Sequence, residues 1–169
     1  RRARYAFLER AAAEWGATCV FTGHTADDQA ETVLFRILRG TGLAGLAGIP
    51  RVRPISVSSP EVSLVRPMLE CTRLDVLTFL DARGLDSLED ETNTDTEGQA
   101  RARIRHELLP QLSESWNPEL RAAINRLASS ARQAQEALED MAADRIDRAG
   151  PWIEEDGGTL RLPLALLET

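Results

Sequence analysis

The chain contains no lysine; all twenty of its basic residues are arginine. No ammonium side chain can therefore cradle a phosphate or form a Schiff base here, and every cationic contact falls to a guanidinium. Cysteine is nearly as scarce. Cys19 and Cys71 stand far apart and outside any CxxC pair, which argues against a disulfide or a zinc site and predicts two small apolar core residues. Aromatics make up only 5% of the residues, so the 43% apolar fraction predicts an aliphatic core. No apolar run approaches the roughly 20 residues that span a bilayer, and the opening RRARYAFLER has no signal-peptide core. The expected compartment is the cytoplasm.

The 169 residues suffice for one sizeable domain, or one domain with a smaller appendage. The net charge of −7 is unevenly spread. Residues 1–66 carry nine arginines against six acids, whereas residues 107–169 carry six against twelve. An acidic total argues against indiscriminate nucleic-acid binding but leaves room for a local basic stripe, which is what phosphate contacts need.

Apolar spacing organises the rest. Residues 3–15 place Phe7, Leu8, Ala11, Ala12 and Trp15 on one helical face, with Gly16 as the stop. ATCVFTG (17–23) is a short apolar run that predicts a strand covered on both faces. Residues 26–38 are helical again, and RGTGLAGLAGIP (39–50) predicts a loop or turn series. RVRPISV and VSLVRPM predict a hairpin or two short strands, with Pro54 and Pro67 disfavouring central positions. TRLDVLTFLDARG (72–84) reads as an amphipathic helix capped by Thr72 and Asp75 and stopped by Gly84, with Phe79 and Leu80 in the core. A polar loop containing DETN, in which Thr-Asn suits an Asx-type turn, leads to a helix broken near Pro110. A long helix over 117–148 carries the stripe Leu120, Ile124, Leu127, Ala131, Ala134, Leu138 and Met141, best read as a packing face. GTLRLPLALL reads as a short strand that opens a further, truncated unit. The order predicts an α/β layer with a helical extension and a boundary near 107–117.

GHTADDQAET (23–32) concentrates chemistry just after the first predicted strand. In open α/β sheets, ligands bind outside the carboxyl ends of the strands. A helix starting at Thr25 or Ala26 puts His24 just before it, makes Asp27 and Glu31 i, i+4 neighbours, and sets Arg36 and Arg39 further along. Its first turn adds free N–H groups and a positive dipole end. Such a patch suits a cation, a magnesium-bound nucleotide, or both. The plain alternative is a solvated helix start, where acids are common.

The stretch TGHTADDQAETVLFRILRGTGLAGLAGIP resembles the second signature of the tRNA(Ile)-lysidine synthases, members of the N-type ATP pyrophosphatase (PP-loop) superfamily. VRPMLECTRLDVLTFLDARGL, DETN and RARIRHELLPQL come after it in that family's order, so the resemblance covers roughly residues 1–112. It implies a partial Rossmann-like parallel sheet, with residues 1–110 as the C-terminal part of the PP-loop domain and 111–169 as a helical extension into a truncated further domain. It also implies an activity: ligation of free L-lysine to C2 of the wobble cytidine of an isoleucine tRNA. ATP adenylates the cytidine with release of pyrophosphate, and the lysine amine then displaces AMP.

The resemblance assigns roles residue by residue. Asp27, Asp28 and Glu31 are candidates for the ammonium groups of lysine, with Asp28 also the expected Mg²⁺ ligand. Arg36 and Arg39 offset phosphate charge. His24 orients phosphates or shuttles a proton. Arg101, Arg103 and Arg105 are candidates for tRNA phosphates or the nucleotide, although on a helix 103 points away from 101 and 105. The alternative for these three is a solvated face against acids such as Asp90 and Glu91. Two departures stand out. Ala102 replaces the family's usual Asn, and the SGGxDS-type loop that holds ATP phosphates is absent. The expectation is a fragment with no ATP turnover of its own, which AMP formation by this polypeptide would refute. A parallel strand without neighbours would need dimer contacts, a rearrangement or an upstream segment. The rival readings are a PP-loop tRNA thiolation enzyme, disfavoured by the cysteine count, and a non-catalytic RNA-binding or helical interaction module.

Overall fold

A computed structural model describes residues 2–87, 96–149, 154–156 and 159–161 of the protein. Helix α1 (Arg2–Trp15) ends at Gly16, whose φ of +62° takes the left-handed turn that an L side chain resists. Strand β1 (Cys19–Phe21) pairs in parallel with β3 (Ser63–Val65), and β2 (Val52–Pro54) pairs antiparallel with β3, giving the order β1-β3-β2. The expected hairpin is present, and Pro54 sits on an edge strand, where its missing N–H does no harm. β1 is the other edge. With β3 as its one partner among the described residues, it leaves Cys19 exposed and Phe21 67% exposed, so the expectation of a strand covered on both faces is corrected.

Tyr5, Leu8 and Ala12 of α1 pack on Ile55, Val62 and Leu64, forming one small core on the sheet. Phe7 and Trp15 stay exposed, so α1 buries a narrower stripe than its apolar spacing implied.

The larger core lies between helices. Helix α2 (Ala26–Leu38) buries Ala26, Gln29, Ala30 and Val33, the i, i+3, i+4, i+7 stripe of one helical face. Ala30 and Val33 meet Ile104, Leu109, Ile124 and Ala128. The glycine-rich segment after α2 folds around a single turn, α3 (Leu43–Leu46), and helix α4 (Arg73–Ala82) comes after the sheet. Thr72 and Asp75 form the expected capping box on α4, and Gly84 at φ +63° stops it. No residue of α4 is buried, however; Phe79 is 55% exposed, against the expectation of a core residue.

Helix α5 (Thr96–Arg103) runs through a π turn (Ile104–Leu108) into α6 (Leu109–Ser115). Pro110 cannot donate to the carbonyl four residues back and would crowd it. The chain answers upstream, where the Leu109 N–H reaches back five residues to the Ile104 carbonyl. The helix therefore bulges ahead of the proline rather than breaking at it. Helix α7 (Leu120–Ala149) is 30 residues long. Of the predicted stripe, Ile124 and Ala131 are buried while Leu127, Leu138 and Met141 are exposed, and Ala128, outside the stripe, is buried instead, so the packing face lies in the first half of the helix and is turned from the predicted one. A two-strand antiparallel pair, β4 (Glu154–Asp156) with β5 (Thr159–Arg161), lies beyond it. DETN and most of the final apolar stretch lie outside the described residues. Both cysteines are free and exposed rather than in the core. No described helix is long and apolar enough to cross a membrane.

Candidate active site

Helix α2 begins where β1 ends, three residues beyond Gly23, as the strand-end argument requires. Thr25 is the N-cap and Asp28 the third helical residue. One Asp28 oxygen, Oδ2, accepts from the Thr25 N–H at 2.8 Å and its hydroxyl at 3.0 Å, closing a capping box. This fixes the first turn and aims the other Asp28 oxygen sideways, where Arg105 Nη2 meets it at 3.1 Å.

Arg105 also holds Glu31. Its Nε lies 2.6 Å from Glu31 Oε1 and its Nη2 2.9 Å from Oε2, a two-pronged contact between the π turn and α2. The Glu31 side chain is 5% exposed. Burial pushes its carboxyl above the ordinary range, aided by the charges of Asp28 and Asp27, while the Arg105 hydrogen bonds and charge pull it back. The same hydrogen bonds raise the Arg105 pKa further. With both carboxylates ionised, Asp28, Glu31 and Arg105 together keep one net negative charge, and Asp28, 30% exposed at its side chain, is the accessible carboxylate.

Asp27 faces elsewhere, because successive helical residues do not share a face. Its Oδ2 accepts from the Arg73 N–H at 2.7 Å, at the start of α4, and Arg121 Nε of α7 stands 3.2 Å from its Oδ1. Asp27 lines a groove of about 1020 Å³ with Gln29, Arg121, Asn125 and Arg132; Asp28, Glu31 and Arg105 do not line it. The acidic cluster is therefore split between two faces.

The remaining candidates divide similarly. Thr22 Oγ1 meets His24 Nδ1 at 3.0 Å. Arg36 donates to the Gly45 and Gly48 carbonyls at 2.9 and 2.8 Å, pinning the glycine-rich segment. Arg39 and Arg101 lie over the Phe35 ring, 5.2 and 5.7 Å from its centroid. Arg101 and Arg105 thus both turn toward α2, while Arg103 points outward and stands 3.6 Å from Glu107. Ala102 is exposed. Among the described residues no three His, Cys, Asp or Glu side chains gather as a metal cage. The Arg105 guanidinium lies against both Asp28 and Glu31 and leaves them one net negative charge, so these residues as arranged do not fit a resident Mg²⁺.

Several working residues escaped sequence reasoning. Gln29 sits in the apolar stripe of α2, accepting from the Ile49 N–H at 2.6 Å and donating to the Ala47 carbonyl at 3.4 Å. Arg132 of α7 donates to the carbonyls of Ala47 and Ile49, both at 2.9 Å. Asn125 Nδ2 donates to the Ala26 carbonyl at 3.0 Å, and buried Arg66 donates to the Pro50 carbonyl at 2.6 Å. A polar residue within an apolar stripe, as at Gln29, is the one signal that could have found any of them.

The PP-loop domain family matches residues 1–112. The chain belongs to that family. Curated relatives called tRNA(Ile)-lysidine synthase match well beyond this segment. The one from Solibacter usitatus is 46% identical across 88% of this chain and 31% of its own length. That from Symbiobacterium thermophilum is 39% identical across 98% and 36%, and that from Geobacter sulfurreducens 41% identical across 95% and 32%. The chain thus spans about a third of the length of these relatives. Among solved structures, the U34-tRNA thiolase NcsA from Methanococcus maripaludis, determined with its [4Fe-4S] cluster, superposes with a TM-score of 0.56 over 75% of this chain and 40% of its own, at 20% identity. That likeness supports the α/β fold of a PP-loop domain.

Proposed function

We propose that this chain is part of a tRNA(Ile)-lysidine synthase, and that the Asp28–Glu31–Arg105 cluster receives the ammonium end of lysine. One observation supports the reading: Asp28 and Glu31 of GHTADDQAET, in a chain 39–46% identical to synthases of that name, meet at the strand end around a single arginine. Two carboxylates against one guanidinium leave a single negative charge, the complement of one ammonium group. Arg105 holds Glu31 rigidly, so an incoming amine is met chiefly by Asp28 through the weaker 3.1 Å contact. Fixed charges of this kind orient a reactant at little reorganisation cost.

ATP is the second substrate. The cytidine O2 attacks the α-phosphorus of ATP and pyrophosphate leaves; the lysine amine then forms a C2–N bond as the C2–O bond to AMP breaks, and the amine gives up a proton. Arg39 and Arg101, each stacked on Phe35, are the guanidinium groups that suit phosphates. Arg103 points outward toward tRNA, and His24, held at Nδ1 by Thr22, borders the strand end as the proton carrier. Arg36 and Asp27 support the surrounding backbone. Mg²⁺ enters as the counter-ion of the ATP phosphates, and none of these steps is routed through it. Residues up to about 110 serve the chemistry; the remainder is a helical extension that leads toward a further domain.

The test is incubation of the protein at its natural full length with labelled lysine, ATP and unmodified isoleucine tRNA. Label on the tRNA, lost in Asp28→Ala, is the expected result. Sulfur transfer, or tRNA binding with no transfer, would overturn the assignment.

A further inference from the structure

We infer that Arg121 and Asn125 of α7 are positioning residues for the acidic motif, acting through a latch centred on Asp27. The inference rests on the functional reading above but has a readout independent of it.

Four contacts converge on residues 26 and 27. The Ala26 N–H donates to the Cys71 carbonyl at 2.8 Å, and the Ala26 carbonyl accepts from Asn125 at 3.0 Å. Asp27 accepts from the Arg73 N–H at 2.7 Å and pairs with Arg121 at 3.2 Å. The start of α2 is thereby tied on one side to the start of α4 and on the other to the first turns of α7. Asp28 is the next residue along, so any movement of the latch is passed to it directly.

The Arg121–Asp27 pair would be negligible as a surface ion pair. The contacting atom, however, is closed off from solvent: Arg121 Nε is buried and lacks a well-aligned acceptor, so its approach to Asp27 is an off-line ion pair. Asn125 Oδ1 is likewise buried without a partner. Both residues lie beyond residue 112, where the family match ends. The helix that carries the chain onward therefore sets the register of the lysine carboxylates, and a displacement of α7 would be felt at Asp28.

Hydrogen exchange on the full-length protein reads the latch without any need for activity. In Arg121→Ala, amides 26–29 and 73–75 should exchange about tenfold faster, while those of Ala128 and Ala131 in the core stay unchanged. In the transfer assay the same variant should raise the KM for lysine about tenfold with kcat and the KM for ATP nearly constant, and Arg121→Lys should recover part of the loss. Asp27→Asn should match it, and the double variant should be no worse than the worse single one. Unchanged exchange at 26–29 in Arg121→Ala, or an additive double variant, overturns the latch. If the unaltered protein transfers no lysine, the functional reading fails while the exchange data still decide the latch.

Discussion

Replacing Arg105 with alanine isolates the energetics of the candidate site. The substitution removes the 2.6 and 2.9 Å contacts to Glu31 and leaves a carboxylate that is 5% exposed without a partner. Breaking a fully buried pair in this way costs about 3–5 kcal/mol. Arg105 itself is 38% exposed, so water partly takes its place, and about 2–3 kcal/mol is the appropriate figure. The effect must depend on pH. Burial already raises the folded Glu31 pKa above its ordinary 4.5, so its stabilising contribution is complete below that value and is lost as pH rises through the folded pKa. Without Arg105 the folded pKa climbs further, and the loss extends over a wider span of pH. Urea unfolding from about pH 4.5 to about pH 8 should therefore show a wild-type advantage that is small at the acid end and grows to its full size at the alkaline end. Adding Glu31→Gln to the variant should recover part of it at the alkaline end. A difference equal at both ends would refute the reasoning, because it would mean that lost packing rather than an orphaned charge destabilises the variant.

The same contacts set other expected outcomes. Gly48→Ala should destabilise by about 2–3 kcal/mol in urea unfolding, since a Cβ there would stand 2.6–2.8 Å from the Gln29 amide at a φ of +70°; Gly16→Ala, with similar φ but open space, should cost only about 1 kcal/mol. Arg132→Ala should lose about 1–2 kcal/mol, because the Ile49 carbonyl loses its Arg132 donor and the Ala47 carbonyl keeps only the longer Gln29 contact, read by thermal unfolding. Thr72→Ala should remove the α4 cap at a cost of about 1 kcal/mol, and since Thr72 holds the Asp75 carboxyl below its ordinary range, any contribution of that cap fades as pH falls through the folded Asp75 pKa.

Local chemistry was the part most readable from the residues alone. The Thr72 cap, the glycine stops at 16 and 84 and the edge placement of Pro54 depend on neighbours a few positions away, and all are present. What a side chain meets across the fold was not readable. The periodicity of ATCVFTG, of α4 and of the end of α7 marks faces able to be covered, and says nothing of whether a neighbour covers them; Phe21, Phe79 and Met141 are exposed. At the site, helical spacing brought 27, 28 and 31 together on paper, with Glu31 between the other two on the helix, yet the distant partners divide them: Asp27 goes to Arg73 and Arg121, while Asp28 and Glu31 go to Arg105. The arginine that unites the two carboxylates lies 74 residues from Glu31, a pairing that no local pattern encodes.

The most direct test of the central claim tracks the two half-reactions separately in Asp28→Asn, using the full-length protein, radiolabelled ATP and isoleucine tRNA. If Asp28 receives the lysine ammonium, adenylated tRNA accumulates while lysine transfer disappears. Transfer at the wild-type rate, or loss of adenylation together with transfer, would contradict it.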